Sequence, residues 1–185
     1  MFSIPLGPDG ARLCPLEPWH AEEFLAHLDR GREFIGQYIS LPDQATDLDS
    51  SRALLRAYAD KAATDTGAIY GIWIGDTLVG GVLFRRMDLK HGVVEVGCWL
   101  EPAGTGKGLA TTAARTIIDW AVEIRGVHRV EWQAKTANQA SIEVARRLGM
   151  TREGVLREAM LHRGKRWDLE VWSVLAPEWR ARQAG

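Results

Sequence analysis

The clearest pattern of hydrophobic and polar positions in the chain lies at residues 107–125. Apolar residues recur there with the period of one helical face, while Thr111, Arg115, Asp119 and Glu123 fall on the opposite side. The apolar face consists of Leu109, Ala110, Ala113, Ala114, Ile117, Ile118, Ala121 and Val122. The pattern predicts an amphipathic helix that packs against a sheet.

Strand-like segments precede and follow this helix. Residues 67–88 predict a hairpin that turns at Gly75-Asp76, and residues 93–100 predict a further strand. Another strand ends near Ala134, after the helix. Strands that alternate with helices in this order predict an α/β fold with a mixed sheet.

Two helices and a short strand are predicted before the hairpin. Residues 11–16 resemble a strand, and residues 18–30 carry apolar positions suited to one helical face. The second helix should start after Asp47 or Asp49, because either carboxylate could cap the first backbone N–H groups. The sequence shows no internal repeat or linker, so residues 1–185 are expected to form a single domain.

Composition limits the partners and the compartment. The chain has 185 residues and a net charge of −1, which argues against an electrostatic grip on nucleic acid or an anionic membrane. No apolar run approaches the roughly 18 residues of a membrane span, and we expect a cytoplasmic protein. Cys14 and Cys98 lie in apolar contexts that predict buried, reduced thiols. The five histidines lack ligand spacing, which predicts no metal.

A glycine-rich turn joins the strand at 93–100 to the amphipathic helix. Gly104, Gly106 and Gly108 could adopt positive φ and let backbone N–H groups converge on an anion. The helix start near Lys107 adds unpaired N–H groups and the positive end of the helix dipole. A nucleotide-hydrolase loop needs Ser or Thr after the lysine, and a dinucleotide fingerprint needs another glycine spacing. The turn therefore predicts a pyrophosphate site of a third kind.

The stretch from Ala103 to Ala110 resembles the coenzyme A pyrophosphate loop of the GNAT superfamily of N-acyltransferases. Residues 130–158 resemble the rest of that superfamily's core. Residues 157–179 resemble the final hairpin of its RimJ/RimL-like branch, which acetylates the N-termini of ribosomal proteins. The resemblance implies one GNAT-like α/β domain: a mixed, mostly antiparallel sheet of six to seven strands, flanked by helices, with a splayed pair of central strands.

The resemblance also implies acetyl-CoA as the acyl donor, bound without a metal. Trp99 and Leu100 would offer backbone groups to the pantetheine, and Asn138 would reach it from across the splayed strands. Arg146 would be a further cofactor contact. The pyrophosphate would lie against Gly104, Gly106, Lys107, Gly108, Leu109 and Ala110.

Glu95 is the candidate general base. The strand alternation places it with Gly97 and Trp99 on the face next to the expected cleft, where desolvation would raise its pKa toward a useful range. The alternative is that Glu95 is a structural partner of Arg85 or Arg86 on a neighbouring strand.

The final hairpin and the helix after Asn138 hold the other candidates. The RimJ/RimL-like branch places its glutamate base where this chain has Met160, so Glu158 is a displaced alternative to Glu95, and Asp168 would orient the acceptor. The tyrosine that many GNAT enzymes offer to the departing thiolate is also missing, which assigns this role to Ser141. The alternative for Ser141 is a place in the first helical turn alone.

We expect direct acetyl transfer to a primary amine, most simply the N-terminal α-amine of a protein or peptide. An α-amine has a pKa of about 8 against about 10.4 for lysine, so far more of it is free near neutral pH. Three alternatives stay open: a small amine such as an antibiotic or aminoacyl compound, a succinyl donor paired with Arg85 or Arg86, and a non-catalytic acyl-CoA sensor. A homodimer is also compatible with the sequence.

Overall fold

The computed structural model describes residues 3–7 and 10–183. These residues form one sheet with helices on both faces. The strands are β1 (Ile4–Pro5), β2 (Ala11–Pro15), β3 (Ala68–Ile74), β4 (Thr77–Asp88), β5 (Val93–Leu100), β6 (Arg129–Lys135), β7 (Thr151–His162) and β8 (Lys165–Leu175). The helices are α1 (Ala21–Gly36), α2 (Leu41–Gln44), α3 (Leu48–Ala63), α4 (Leu109–Glu123), α5 (Gln139–Arg147) and α6 (Ala176–Gln183).

The eight strands lie in the order β1-β2-β3-β4-β5-β6-β8-β7. Neighbours are antiparallel except β5 and β6, which run parallel. This confirms the expected mixed, mostly antiparallel sheet. The sheet exceeds the expected six to seven strands because β1 has only two residues, too few to produce a pattern in the sequence.

The parallel pair separates partway along its length. The ladder between β5 and β6 runs from Val93 opposite Arg129 to Val96 opposite Trp132. Beyond this point β5 continues to Leu100 and pairs only with β4 among the described residues, while β6 continues beside β8. The expected splayed pair is therefore present, and it leaves one edge of β5 without a strand partner.

The helices cover the sheet in two layers. All eight residues of the predicted apolar face of α4 are buried against one side, together with α5 and α6. Helices α1 and α3 cover the other side, where Phe24, Leu28 and Leu55 pack with Trp99. Helix α1 extends to Gly36, beyond the predicted end near residue 30, because Ile35 still faces this core.

Local chemistry fixes the two helix starts. The carboxylate of Asp47 accepts a hydrogen bond from the backbone N–H of Ser50 at 2.8 Å, so Asp47 rather than Asp49 caps α3. Helix α4 begins at Leu109 after Gly108, slightly later than the sequence pattern indicates.

The two cysteines occupy different environments and are both free thiols. Cys14 is buried, as predicted, whereas Cys98 is only partly buried because it lines the opening between the splayed strands. Desolvation raises the pKa of the Cys98 thiol to about 12. None of the helices described is both long and apolar enough to cross a membrane. The described residues contain no cluster of side chains suited to a metal ion.

Candidate active site

A cleft opens where β5 and β6 separate, and it has two halves. The turn half faces the glycine-rich turn and is lined in part by Trp99, Leu100, Thr105 and Ala110. The hairpin half faces β7 and β8 and is lined in part by Arg85, Gly97, Lys135, Met160 and Leu169. Both halves share Tyr38, Ile39, Cys98, Asn138 and Ser141. The shared residues make the cleft continuous from the turn to the hairpin.

The glycine-rich turn uses its glycines in two ways. Gly106 and Gly108 have φ angles of +75° and +71°, and both are exposed. Gly104 does not adopt positive φ; it ends a short 3-10 turn, and a Cβ there would lie 2.9 Å from the carbonyl oxygen of Val79. The prediction of positive φ was therefore wrong for Gly104, whose role is close packing against β4.

The start of α4 presents free backbone donors beside this turn. Gly108 is its N-cap residue and has no side chain to bind the first N–H groups. The backbone N–H groups of Leu109, Ala110 and Thr111 precede the first possible intrahelical bond, and the helix dipole favours an anion here. Lys107 is exposed at the same point. These donors fit a pyrophosphate.

A buried hydrogen-bond network fixes the free end of β5. The indole N–H of Trp99 donates to Nε2 of His27 at 3.0 Å, and Nδ1 of His27 lies 3.1 Å from Oε2 of Glu101. Nε of Arg30 donates to the same carboxylate oxygen at 3.0 Å. Burial lowers the pKa of His27 to about 4, so the ring is neutral and carries its proton on Nδ1. The Trp99 side chain thus anchors the strand whose backbone edge faces the cleft.

Asn138 and Ser141 meet at the first turn of α5. The side-chain oxygen of Asn138 accepts from the backbone N–H of Ser141 at 3.2 Å, which leaves the amide NH2 as a donor. The hydroxyl oxygen of Ser141 accepts from the buried indole N–H of Trp132 at 3.0 Å. The Asn138 side chain therefore performs the capping, and the Ser141 hydroxyl keeps its own proton for donation within the cleft.

Glu95 lies on β5 and is not among the described residues that line either half of the cleft. It precedes Gly97 by two residues and lies 3.2 Å from Nε of Arg85, so the ion pair considered as the alternative is present. Burial raises the pKa of Glu95, opposed by Arg85 and Arg86 and assisted by Glu131. A base role and a structural pair are both compatible with this geometry.

The final hairpin brings Met160, rather than Glu158 or Asp168, to the cleft. Residues 157–159 form a bulge opposite Asp168, with Glu158 at φ +51°. The carboxylate of Asp168 accepts from the backbone N–H of Glu158 at 2.8 Å and so holds this bulge. Contact of either carboxylate with a substrate stays a prediction.

Arg146 lies near the C-terminal end of α5. Its guanidinium pairs with Glu143 and lies 5.7 Å from the ring centre of Trp172. The contact with Trp172 joins α5 to β8, whereas Glu143 lies in α5 itself. The predicted cofactor contact of Arg146 stays a prediction.

The residues that line the cleft include Tyr38 and Lys135, which the predicted set of site residues did not contain. Tyr38 follows α1 and lines both halves, although it precedes the glycine-rich turn in the sequence. Lys135 ends β6 and lines the hairpin half. Long-range packing brings both there, and no local spacing in the sequence signals it.

Comparisons with known proteins agree with this architecture. Residues 11–151 match the profile of the acetyltransferase (GNAT) domain family. YdaF of Bacillus subtilis (strain 168), provisionally named a ribosomal N-acetyltransferase, is 28% identical over 169 residues, which cover 89% of this chain and 90% of YdaF. A ribosomal-protein-serine acetyltransferase of Escherichia coli (strain K12) is 21% identical over 140 residues, which cover 76% and 78% of the two chains.

Solved structures share the fold. RimL, described as a ribosomal L7/L12 alpha-N-protein acetyltransferase in complex with coenzyme A, has a TM-score of 0.87 at 19% identity, covering 94% of this chain and 98% of RimL. The microcin C7 self-immunity acetyltransferase MccE, in complex with acetyl-CoA and AMP, has a TM-score of 0.86 at 22% identity, covering 93% and 97%. These likenesses support the fold alone. Because the family profile covers well over half of its length, this chain belongs to the GNAT acetyltransferase family and is an N-acetyltransferase.

Proposed function

We propose that the protein transfers the acetyl group of acetyl-CoA to the N-terminal α-amine of a protein or peptide. The observation that carries this proposal is the continuity of the cleft. The turn half offers backbone donors for a pyrophosphate, and the hairpin half is open to a second substrate. The two halves meet at Ser141 and Asn138, where a thioester and an amine could come together.

The donor would bind mainly through backbone groups. The N–H groups at the start of α4 and in the turn at Gly106 and Gly108 would hold the pyrophosphate. The free edge of β5 at Trp99 and Leu100 would pair with the pantetheine amides, with the Asn138 amide opposite. The bound thioester supplies the activated acyl group.

Transfer would proceed by direct attack. The amine nitrogen attacks the thioester carbonyl carbon, the C–N bond forms, and the C–S bond breaks to release the CoA thiolate. The Ser141 hydroxyl would donate to the negative charge that develops on sulfur. The surplus proton on nitrogen would pass to Glu95 through water, because Glu95 lies behind Gly97.

The acidity of the acceptor favours an α-amine. Near neutral pH roughly a tenth of an α-amine with a pKa of about 8 is already the free nucleophile, against well under a thousandth of a lysine side chain. A general base that lies back from the cleft is sufficient to deprotonate an α-amine, but it is weak for a lysine side chain. The provisional name of YdaF points the same way.

A panel of acceptors tests the proposal. Thiol release from acetyl-CoA is measured with a peptide that has a free N-terminus and no lysine, and with an N-terminally blocked peptide that contains lysine. We expect release with the first peptide and a mass increase on its N-terminal residue. Release with the lysine peptide alone would contradict the proposed acceptor, and tight CoA binding without release from any amine would instead indicate a sensor.

A further inference from the structure

Lys135 is a buried cation in the wall of the hairpin half. Only 2% of the residue is exposed. Its ammonium donates to the backbone carbonyl of Gln37 at 3.0 Å and to Nδ1 of His162 at 2.7 Å, and it lies 4.7 Å from the ring centre of Trp167. These three neighbours are a carbonyl, an imidazole and an aromatic ring. None of them supplies a negative charge if the imidazole is neutral.

The imidazole of His162 is neutral. Burial is the first cause that lowers its pKa, and the charge of Lys135 lowers it further. Because Nδ1 accepts from the ammonium, the ring proton lies on Nε2, which faces Oδ2 of Asp43 at 3.4 Å. Asp43 is already matched by Arg163, whose Nη2 and Nε lie 2.7 and 3.2 Å from its two oxygens. Burial and then the charge of Arg163 lower the pKa of Lys135, and the opposing effect of Asp43 does not offset them, so Asp43 compensates the ammonium only in part.

The rest of the hairpin half does not compensate Lys135 either. The described residues that line it include two cations, Arg85 and Lys135, and no carboxylate. Arg85 is paired with Glu95 at 3.2 Å. Among the described residues that line the hairpin half, Lys135 is thus the one charged side chain without an ion-pair partner.

A buried ion is costly unless another group or a ligand compensates its charge. The bond to Gln37 ties the end of α1 to β6, but a neutral donor could do the same. Lys135 lines the second-substrate half, and its incompletely compensated charge points to a ligand that brings negative charge.

We propose that Lys135 makes the enzyme select acceptors that carry a carboxylate close to the reacting amine. The inference rests on the proposed transfer to an amine. The carboxylate could be the side chain of an acidic second residue in a peptide or the α-carboxylate of an amino acid, since both offer the same charge. It need not displace Gln37 or His162, because opposite charges attract each other without direct contact.

The test compares peptides that begin with serine followed by glutamate, glutamine or lysine. For the unaltered enzyme we expect kcat/KM about tenfold higher for glutamate than for glutamine, carried by KM, with lysine lowest. Lys135→Met should bring the glutamate-to-glutamine ratio close to one. Lys90→Met, at an exposed turn position, should leave the ratio unchanged. Free serine against serinamide shows whether an α-carboxylate also satisfies the site.

Several results would overturn the inference. These are equal rates for glutamate and glutamine in the unaltered enzyme, or a preference that survives Lys135→Met. With succinyl-CoA as donor, a loss confined to succinyl transfer in Lys135→Met would assign the charge to the donor and not to the acceptor.

A binding measurement keeps the inference testable if Lys135→Met does not fold. The affinities of the glutamate and glutamine peptides for the unaltered, CoA-loaded protein are compared by titration calorimetry. Equal Kd values would overturn the role of Lys135. Tighter binding of the glutamate peptide without acetylation of any peptide would support the selectivity while contradicting the proposed transfer.

Discussion

The two halves of the cleft share residues of β5, of α5 and of the segment after α1, but they differ in the groups that they present to a substrate. In the turn half, one continuous segment presents backbone groups for the donor: the end of β5, the glycine-rich turn and the start of α4. The other walls of this half are side chains of α1, of the segment after α1 and of α5. The hairpin half is lined by residues of the segment after α1 and of β4, β5, β6, α5, β7 and β8, which only the folded sheet brings together.

Because the two halves present different groups, they can recognise different parts of the two substrates. Backbone N–H groups at a helix start bind any suitably placed phosphate, so the turn half suits a donor that is common to a whole family. Side chains such as Met160 and Lys135 can change without disturbing the sheet order, so the hairpin half can set the choice of acceptor.

The largest expected effect is on the binding of acetyl-CoA in the turn half. Gly108→Val should weaken acetyl-CoA binding about 1000-fold, because a branched residue at φ +71° would move the turn and cost several charge-assisted bonds to the pyrophosphate. Titration calorimetry with acetyl-CoA measures the loss.

Gly126→Val is the matched control for backbone strain. Gly126 has φ +66° and, like Gly108, open space where a Cβ would lie, but it follows α4 at its far end. Both variants should lose a similar amount of stability, about 1–2 kcal/mol, and only Gly108→Val should lose acetyl-CoA. Equal affinities in the two folded variants would remove the turn from the pyrophosphate site.

The second effect is at the junction of the two halves. Ser141→Ala should lower kcat about 300-fold, because the hydroxyl meets charge that appears on sulfur only as the thioester breaks. It should also lower stability by about 1–3 kcal/mol, since the buried N–H of Trp132 loses its acceptor. Single-turnover rates and thermal midpoints separate the two effects.

Two further variants show which hydroxyl group at the junction donates to the departing thiolate. Trp132→Phe removes the donor to Ser141 and keeps the hydroxyl, so it should lose stability and retain most of kcat. Tyr38→Phe tests the other hydroxyl shared by both halves. If Tyr38→Phe reduced kcat while Ser141→Ala did not, the donor to the departing thiolate would be the Tyr38 hydroxyl.

The features around the glycine-rich turn could be predicted from the sequence more readily than those of the hairpin half. The periodicity of α4, the turn glycines and the cap at Asn138 are local signals, and the structure places each of them where the pattern indicates. The error at Gly104 is instructive, because its neighbour Val79 belongs to β4 and is distant in sequence. A local pattern shows that a glycine is present but not which neighbour requires it.

The hairpin half could not be predicted in this way. Tyr38 reaches the cleft because α1 extends past its predicted end. Lys135 forms a hydrogen bond with His162 because the β7–β8 hairpin brings the end of β7 beside β6. The network of His27, Trp99 and Glu101 likewise joins α1 to the end of β5. Such contacts depend on strand order and helix length, which the spacing of residues in one segment does not determine.

The smallest of the three effects concerns Glu95, which lies two residues before Gly97 in the wall of the hairpin half. Glu95→Gln should lower kcat/KM about 100-fold and leave the affinity for acetyl-CoA unchanged. The pKa of Glu95 is raised by burial, so in the unaltered enzyme kcat/KM should fall as pH drops through that raised pKa and the carboxylate becomes protonated. The variant should lose this limb and recover partly at high pH, where the amine is already free.

Two variants sharpen this pH dependence. Arg85 lowers the pKa of Glu95, so Arg85→Gln should move the acid limb to higher pH. Glu153→Gln should leave the profile unchanged, because Arg129 and Ser173 hold the pKa of Glu153 at about 2 and it stays ionised across the range. Near-normal activity of Glu95→Gln at neutral pH would make Glu95 only the structural partner of Arg85. The base would then have to be sought at Glu158 or Asp168, which would require the β7 bulge to rearrange when the acceptor binds.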